Sequence, residues 1–220
     1  MAARIEATGT RTIDWAGRIR ERLAGTQPRH DEDTFLLPGL THEQSRAYRA
    51  WFPVDPVPAA VLVPLVERSD GLTVLLTERA SDLKNHAGQI SFPGGRMEES
   101  DGGALRTALR EAQEEIGLDP RFVSVAGYLP DHIVVSGYRV TPVVAFVTPG
   151  FELLLDAAEV HTTFEVPLAH VFEPANYASR KRRFGDAEIE LCDIPYRQWN
   201  IWGATAGMLV TLRRLVAPES

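Results

Sequence analysis

The sequence predicts a mixed-sheet α/β (α+β) domain with an N-terminal helical arm. Apolar strand-like runs come first, then an amphipathic helix, then more strands and a closing helix; this order lacks the regular βαβ rhythm of a doubly wound sheet. Pro and Gly number 15 and 17 in 220 residues, which suits many turns rather than a helical bundle. Hydrophobic residues make up 44% and charged residues 24%, enough apolar mass for one full core.

In residues 1–52, Ile13, Ala16, Ile19 and Leu23 recur near helical spacing, and Gly25 stands where that helix would stop. Thr41 and Gln44 form a candidate capping box for a second short helix reaching Trp51. Pro53–Pro58 reads as an extended linker, because proline blocks helix and sheet bonding alike. The chain is therefore expected to divide into a helical arm, 1–52, and a main domain, 53–220. Ala59–Val66 and Leu72–Glu78 read as buried strands joined by the turn Ser69-Asp70-Gly71. A polar, Gly-rich loop runs from Ala80 to about Ser100. A helix follows from about Asp101 to Ile116, with Leu105, Ala108, Leu109, Ala112 and Ile116 as its apolar stripe and Gly117 at its stop. Further strands are expected at Phe122–Leu129, Arg139–Val147, Thr162–Val166, Tyr177–Phe184 and Ala187–Leu191, the last two joined through Gly185-Asp186. Trp199–Val216 reads as the closing helix.

Charge and cysteine content exclude some functions. The net charge of −7 and pI of about 5.4 disfavour a wholesale nucleic-acid binder. The basic run Arg180-Lys181-Arg182-Arg183 falls on an expected strand, where alternate residues face opposite ways; a charged edge that resists aggregation is the better reading. Cys192 is the single cysteine, so neither an intrachain disulfide nor a Cys-based zinc site can form. The N-terminal residues lack the apolar core of a signal peptide, and no apolar run approaches the roughly 18 residues of a membrane span. The expectation is a soluble, cytoplasmic protein with no membrane partner.

The chemistry concentrates in Gly94–Leu118. Successive helical residues turn by about 100°, so Glu111 and Glu115 stack one above the other, Glu114 flanks them, and Arg110 is placed to pair with Glu114. Three carboxylates are thus expected on a solvent-facing side. Hard cations such as Mg²⁺ or Mn²⁺ relieve such repulsion and suit phosphoryl chemistry. An ordinary solvated acidic face is the bland alternative, and Arg110–Glu115 alone would favour it. Phe92-Pro93-Gly94-Gly95 shifts the balance, because two glycines let the backbone approach a metal or phosphate.

The combined segment resembles the Nudix box: Gly, five residues, Glu, seven residues, then Arg-Glu-apolar-x-Glu-Glu-x-Gly-apolar. Arg110 to Leu118 matches the second half throughout; in the first half Asp101 stands six past Gly95, with eight residues before Arg110. The resemblance implies a Nudix-type α/β/α sandwich that hydrolyses pyrophosphate bonds with Mg²⁺ or Mn²⁺. It assigns Glu111 and Glu115 as main metal ligands, joined by Glu114 and the Gly94 carbonyl, and Arg110 as the residue that orients them.

Upstream, Leu75-Leu76-Thr77-Glu78-Arg79-Ala80, Lys84, Gly88 and Phe92 to Gly95 resemble the signature of the coenzyme A pyrophosphatase branch, with Lys84 where that signature has Arg. Glu159-Val160, Phe164 to Leu168 and Ile201 to Ala206 extend the resemblance to roughly residues 59–215. It implies cleavage of coenzyme A or a derivative to 3′,5′-ADP and 4′-phosphopantetheine. Arg79 and Lys84 would grip the adenosine end, and Gly88, Phe92 and Gly95 would contact substrate. In many relatives a late glutamate is the general base; Glu159 is the candidate, Glu165 a weaker one and Glu111 the rival. His86 reads as a solvated loop residue, and Trp202 as packing. The alternatives are a Nudix pyrophosphatase for ADP-ribose, NADH or a nucleotide sugar, and a non-catalytic nucleotide-sensing module. The expected partner is a small CoA-like nucleotide, not nucleic acid, and a homodimer contact through the arm stays open.

Overall fold

Strand β1 (Val57–Arg68) alternates between two faces and organises the sheet. Ala59, Val63 and Leu65 enter one buried cluster, while Ala60, Leu62 and Val66 enter the other. The computed structural model describes residues 13–29, 55–81, 88–184 and 187–217. Strand β2 (Gly71–Arg79) returns antiparallel from the turn at Asp70, pairing Leu65 with Val74. On its other side β1 runs parallel to β7 (Tyr138–Val147) along its length, from Val57↔Tyr138 to Val66↔Val147. Strand β5 (Val123–Tyr128) closes that side, and β8 (Val160–Pro167) flanks β2 on the other. Three short strands complete this mixed sheet: β3 (Ile90–Ser91) on β2, β4 (Gly94–Arg96) on β1, and β6 (His132–Ile133) on β7.

The helices cover both faces. Helix α1 (Trp15–Leu23), the short α3 (Leu168–Phe172) and α4 (Gly203–Val216) pack on the cluster containing Val63 and Val144. Among the described helices, α2 (Ala104–Ile116) is the one that packs on the cluster containing Leu62 and Val143. This is the expected α/β/α sandwich. The small residues Ala104, Ala108 and Ala112 let α2 lie close to β1 and β4. A separate three-stranded sheet holds β9 (Ala178–Phe184), β10 (Ala187–Tyr196) and β11 (Trp199–Ile201) in the order β11-β10-β9.

The arm helix packs on the core opposite α2. Asp14 caps it by accepting from the Gly17 N–H, and Arg18 donates to the Val216 carbonyl at 2.7 Å. Just past the helix, the Thr26 hydroxyl accepts the Tyr128 N–H at 2.8 Å, so the arm satisfies a donor on β5. The second arm helix expected to reach Trp51 lies outside the described residues.

Several boundaries differ from expectation for physical reasons. The loop expected over Ala80–Ser100 contains β3 and β4, because Gly94 and Gly95 pair with Val61 and Ala60. Helix α2 begins at Ala104 rather than Asp101. Gly102 and Gly103 take φ of 68° and 144° there, which breaks the helix from the 3₁₀ turn Glu99–Asp101 before it. The closing helix begins at Gly203, since Trp199 is pulled into a strand by stacking on Phe164 at 3.8 Å and donating to Glu78 at 3.1 Å. The Ala187 hairpin partner extends to Tyr196 instead of Leu191.

In the basic hairpin, the register sets Glu190 opposite Lys181 and Glu188 opposite Arg183, while Arg180 bonds Asp193 at 3.1 Å. Among the described residues no helix is long and apolar enough to cross a membrane.

Candidate active site

The site lies where β1 changes partners. Its C-terminal half pairs with β2, its N-terminal half with β4, and the Leu62 N–H donates to the Pro93 carbonyl at 2.9 Å. The Gly-Gly pair is thereby laid along β1 beneath α2. A Cβ on Gly94 would stand 2.6 Å from the Val61 Cα, so this position has room only for glycine. A Cβ on Gly95 would stand 2.6 Å from the carboxyl carbon of Glu111, which rests directly on the glycine backbone. Gly95→Ala is expected to leave the fold intact, because only the end of a side chain must move. Its activity should fall about 10²-fold, the scale for an ångström of misplacement. Melting curves beside steady-state kinetics would check both halves of that prediction.

The Glu115 carboxylate is 4% exposed; its Oε2 accepts the Gly94 N–H at 3.1 Å, and its Oε1 lies 3.5 Å from Arg79 Nη1. The solvent-facing carboxylate trio therefore needs correction. Glu115 is buried because β4 packs over the last turns of α2, which helical periodicity alone does not reveal. Glu114 is the exposed one, at 61%, and makes the expected i,i+4 pair with Arg110 at 2.8 Å. Glu111 is partly buried and takes an Arg110 contact at 2.8 Å.

Arg110 is held from several sides. Its Nε and Nη2 donate to the two oxygens of Asp101 at 2.9 and 3.1 Å, and Nη2 also donates to the Arg96 carbonyl. Asp101 itself accepts from Thr107 at 2.8 Å and from the Glu98 N–H at 3.0 Å. The Arg110 guanidinium and these donors hold the Asp101 carboxyl well below the usual carboxylate range, and Asp101 in turn raises Arg110. The sequence marked Asp101 only as an acid where the box has Glu. Its work as the anchor of Arg110 depends on the 3₁₀ turn that aims it.

Glu159 arrives on a loop strapped to the end of α2. The Leu154 and Asp156 N–H groups donate to the Ile116 and Glu115 carbonyls at 3.0 and 2.9 Å. A side chain at Gly117 would strike Leu154, and the Ala80 N–H fixes the Glu159 carbonyl at 2.8 Å. Glu159 is exposed at the site, and its charge acts on both Glu111 and Glu115. Burial, with help from neighbouring carboxylates, raises Glu111 and pushes Glu115 up to about 7.

Arg79 ends β2 at a register shift between Glu78 and Arg79. Gly88 takes φ 67° and donates its N–H to the Arg79 carbonyl at 3.1 Å, two residues before β3. Lys84 and His86 lie outside the described residues. Phe92 is buried, 4% exposed, in the core cluster that also holds Ile90. Trp202 occupies the position just before α4, with the Arg180 guanidinium 5.0 Å from its ring centroid.

Glu165 stands apart from the acidic cluster. It bonds Arg68 and Thr73 on neighbouring strands. Burial would raise its pKa, but these bonds outweigh burial and lower it from 4.5. The Arg68 pair therefore contributes stability above pH 4.5 that is lost as pH falls through the lower folded value. Glu165→Gln is expected to cost about 1 kcal/mol or less at pH 7, the difference closing in acid, with turnover unchanged. Thermal melts at both pH values and one rate measurement test this; a large loss of turnover would restore Glu165 as a candidate base.

Among the described residues, no three His, Cys, Asp or Glu side chains already stand close enough to hold an ion. The donor set still fits a hard divalent cation. Mg²⁺ keeps several waters and needs only one or two carboxylates. Glu111 and Glu115 would supply these, and Gly95 sets no side chain against the Glu111 carboxyl.

The family comparison fits this geometry. The model of the NUDIX domain matches residues 55–187. The chain belongs to the Nudix family. The uncharacterized Nudix hydrolase NudL of Escherichia coli K12 is 42% identical over 153 residues, covering 69% of this chain and 78% of that protein. NudL of Cronobacter sakazakii is 42% identical over 154 residues, with the same coverage of both chains. The solved Nudix hydrolase RenU of M. smegmatis is 21% identical, covers 53% of this chain and 73% of its own, and superposes with a TM-score of 0.45. As a Nudix family member, the chain is a pyrophosphohydrolase of nucleotide diphosphate derivatives.

Proposed function

We propose that this Nudix hydrolase cleaves the pyrophosphate of coenzyme A or a derivative, with Mg²⁺ or Mn²⁺, to 3′,5′-ADP and 4′-phosphopantetheine. The observation that carries the reading is the meeting of Glu111, Glu115 and Glu159 beside Arg79, on the segment that carries the coenzyme A-type residues. Glu111 and Glu115 are the metal ligands, with Glu114 and the Gly94 carbonyl as additional oxygens. A bound divalent ion would neutralise phosphate charge and acidify an attacking water.

The chain's own residues do the rest. Arg110, fixed by Asp101, orients Glu111. Glu159 takes the proton from the attacking water, with Glu111 as the rival base; its exposure at the site leaves its carboxylate accessible to water. Arg79 and Lys84 receive substrate phosphate; Lys84 contributes charge without the bidentate fork of arginine. Gly88 and Gly95 keep the approach open.

The test is a panel of coenzyme A, ADP-ribose, NADH and a nucleoside triphosphate, each at limiting concentration with Mg²⁺, with products separated by chromatography. The expected result is the highest kcat/KM for coenzyme A, with 3′,5′-ADP as a product. Preference for another diphosphate would retain the family chemistry and overturn the substrate assignment. Binding without turnover of any compound would favour a nucleotide-sensing module.

A further inference from the structure

We propose that Arg79 couples metal loading to substrate binding: its guanidinium holds Glu115 while the metal is absent, and a divalent ion displaces it toward substrate phosphate. The inference rests on the proposed role of Glu115 as a metal ligand.

The two arginines of the site are held differently. Arg110 is clamped by Asp101, the Arg96 carbonyl, Glu111 and Glu114, all at 2.8–3.2 Å. Among the described residues Arg79 meets Glu115 through one loose contact of 3.5 Å, too long for a strong hydrogen bond; both arginines are 25% exposed, so the difference between them lies in their partners. The Arg79 backbone, by contrast, is fixed on both sides. The Arg79 N–H donates to the Gln89 carbonyl, and the Arg79 carbonyl accepts from Gly88. The register shift at Glu78/Arg79 turns this residue relative to the regular strand, a common use of a bulge beside a functional site. A long side chain on a rigid root can change partners without moving the fold.

Electrostatics makes the exchange necessary. Oε2 of Glu115 already accepts the Gly94 N–H at 3.1 Å, whereas Oε1 has only the loose 3.5 Å contact with Arg79, so Oε1 is the less committed oxygen and the one a divalent ion would take. A guanidinium and a divalent ion cannot share that partly desolvated oxygen without strong mutual repulsion. Without metal, Arg79 offsets the charge of a buried carboxylate that also feels Glu111 and Glu159. With metal, the ion takes over that work and Arg79 is released at the exposed side, where an anionic substrate arrives. Metal and Arg79 therefore compete for Glu115, while metal and substrate phosphate cooperate through Arg79.

The test is Mn²⁺ binding without substrate, followed by electron paramagnetic resonance at pH 8.5, on the wild type, Arg79→Gln, Arg79→Lys and Glu115→Gln. The expected result is that Arg79→Gln binds Mn²⁺ roughly fivefold tighter or more than wild type, the low end of ordinary coupling strengths. Arg79→Lys, which keeps the competing charge, should stay nearer wild type. Equal or weaker Mn²⁺ binding by Arg79→Gln would overturn the coupling. Glu115→Gln separates the two ideas: wild-type Mn²⁺ affinity in that variant would show that the metal-ligand reading has failed. A measurement on the unmutated protein guards against misfolding of the variants. Mg²⁺ titration of ¹⁵N-arginine-labelled wild type should shift the Arg79 side-chain signal and leave Arg110 bonded; an unmoved Arg79 signal would contradict the exchange.

Discussion

Glu111→Gln is expected to lower turnover about 10²–10⁴-fold, the range for loss of a catalytic proton-transfer or charge-handling group. The substitution is nearly isosteric and keeps a hydrogen-bond acceptor for Arg110, whose anchoring by Asp101 does not involve Glu111. The fold should therefore survive. What it removes is negative charge above the Gly95 backbone, where the carboxyl has no side chain between it and the strand. The same change weakens repulsion on Glu115, because Glu111 is one of the charges that raise it. Steady-state rates with saturating Mg²⁺, alongside melting curves, separate lost chemistry from lost stability. Turnover within a few-fold of wild type would remove Glu111 from the site.

Asp101→Ala should be the most destabilising change near the site. It removes the acceptor shared by the Thr107 hydroxyl, the Glu98 N–H and two Arg110 donors, leaving Thr107 its bond to the Gly103 carbonyl and Arg110 Nη2 its contacts to the Arg96 carbonyl and Glu111. Breaking a fully buried pair costs about 3–5 kcal/mol. Arg110 is a quarter exposed, so water recovers part of that, and about 2–3 kcal/mol is expected. Activity should fall as well, since the freed Arg110 no longer fixes Glu111. Asp101→Asn keeps the shape and one acceptor, so it should fall between wild type and Asp101→Ala in denaturant midpoint. Equal stability of all three proteins would refute the anchoring role.

How much of this was legible in the sequence depended on the range of the interaction that decided each feature. The unbroken apolar run Ala59–Val66 marked β1 as a buried strand, and the structure splits its residues between the two clusters. Gly117 was readable as a helix stop because its left-handed conformation is a local requirement. Arg110 and Glu114 were readable as a pair for the same reason.

Features set by distant contacts were not readable. The burial of Glu115 comes from Gly94 on a neighbouring strand. Trp199 joins a strand because its partners, Phe164 and Glu78, lie far back in the chain. Asp101 could be noticed as the acid in the box, but the turn that aims it needed Gly102 and Gly103 to be seen as conformational breaks. Glu159 was readable only as a late glutamate; the strap from Leu154 to Asp156 that delivers it is a set of backbone bonds without a sequence pattern.

The most direct test of the central claim is hydrolysis of coenzyme A in ¹⁸O-labelled water, with Mg²⁺ or with chelator, and mass analysis of the products. The account predicts Mg²⁺-dependent cleavage that places one labelled oxygen on a phosphate of 3′,5′-ADP or 4′-phosphopantetheine, and loss of that label in Glu111→Gln. Cleavage that persists in chelator, or products without phosphate label, would contradict it.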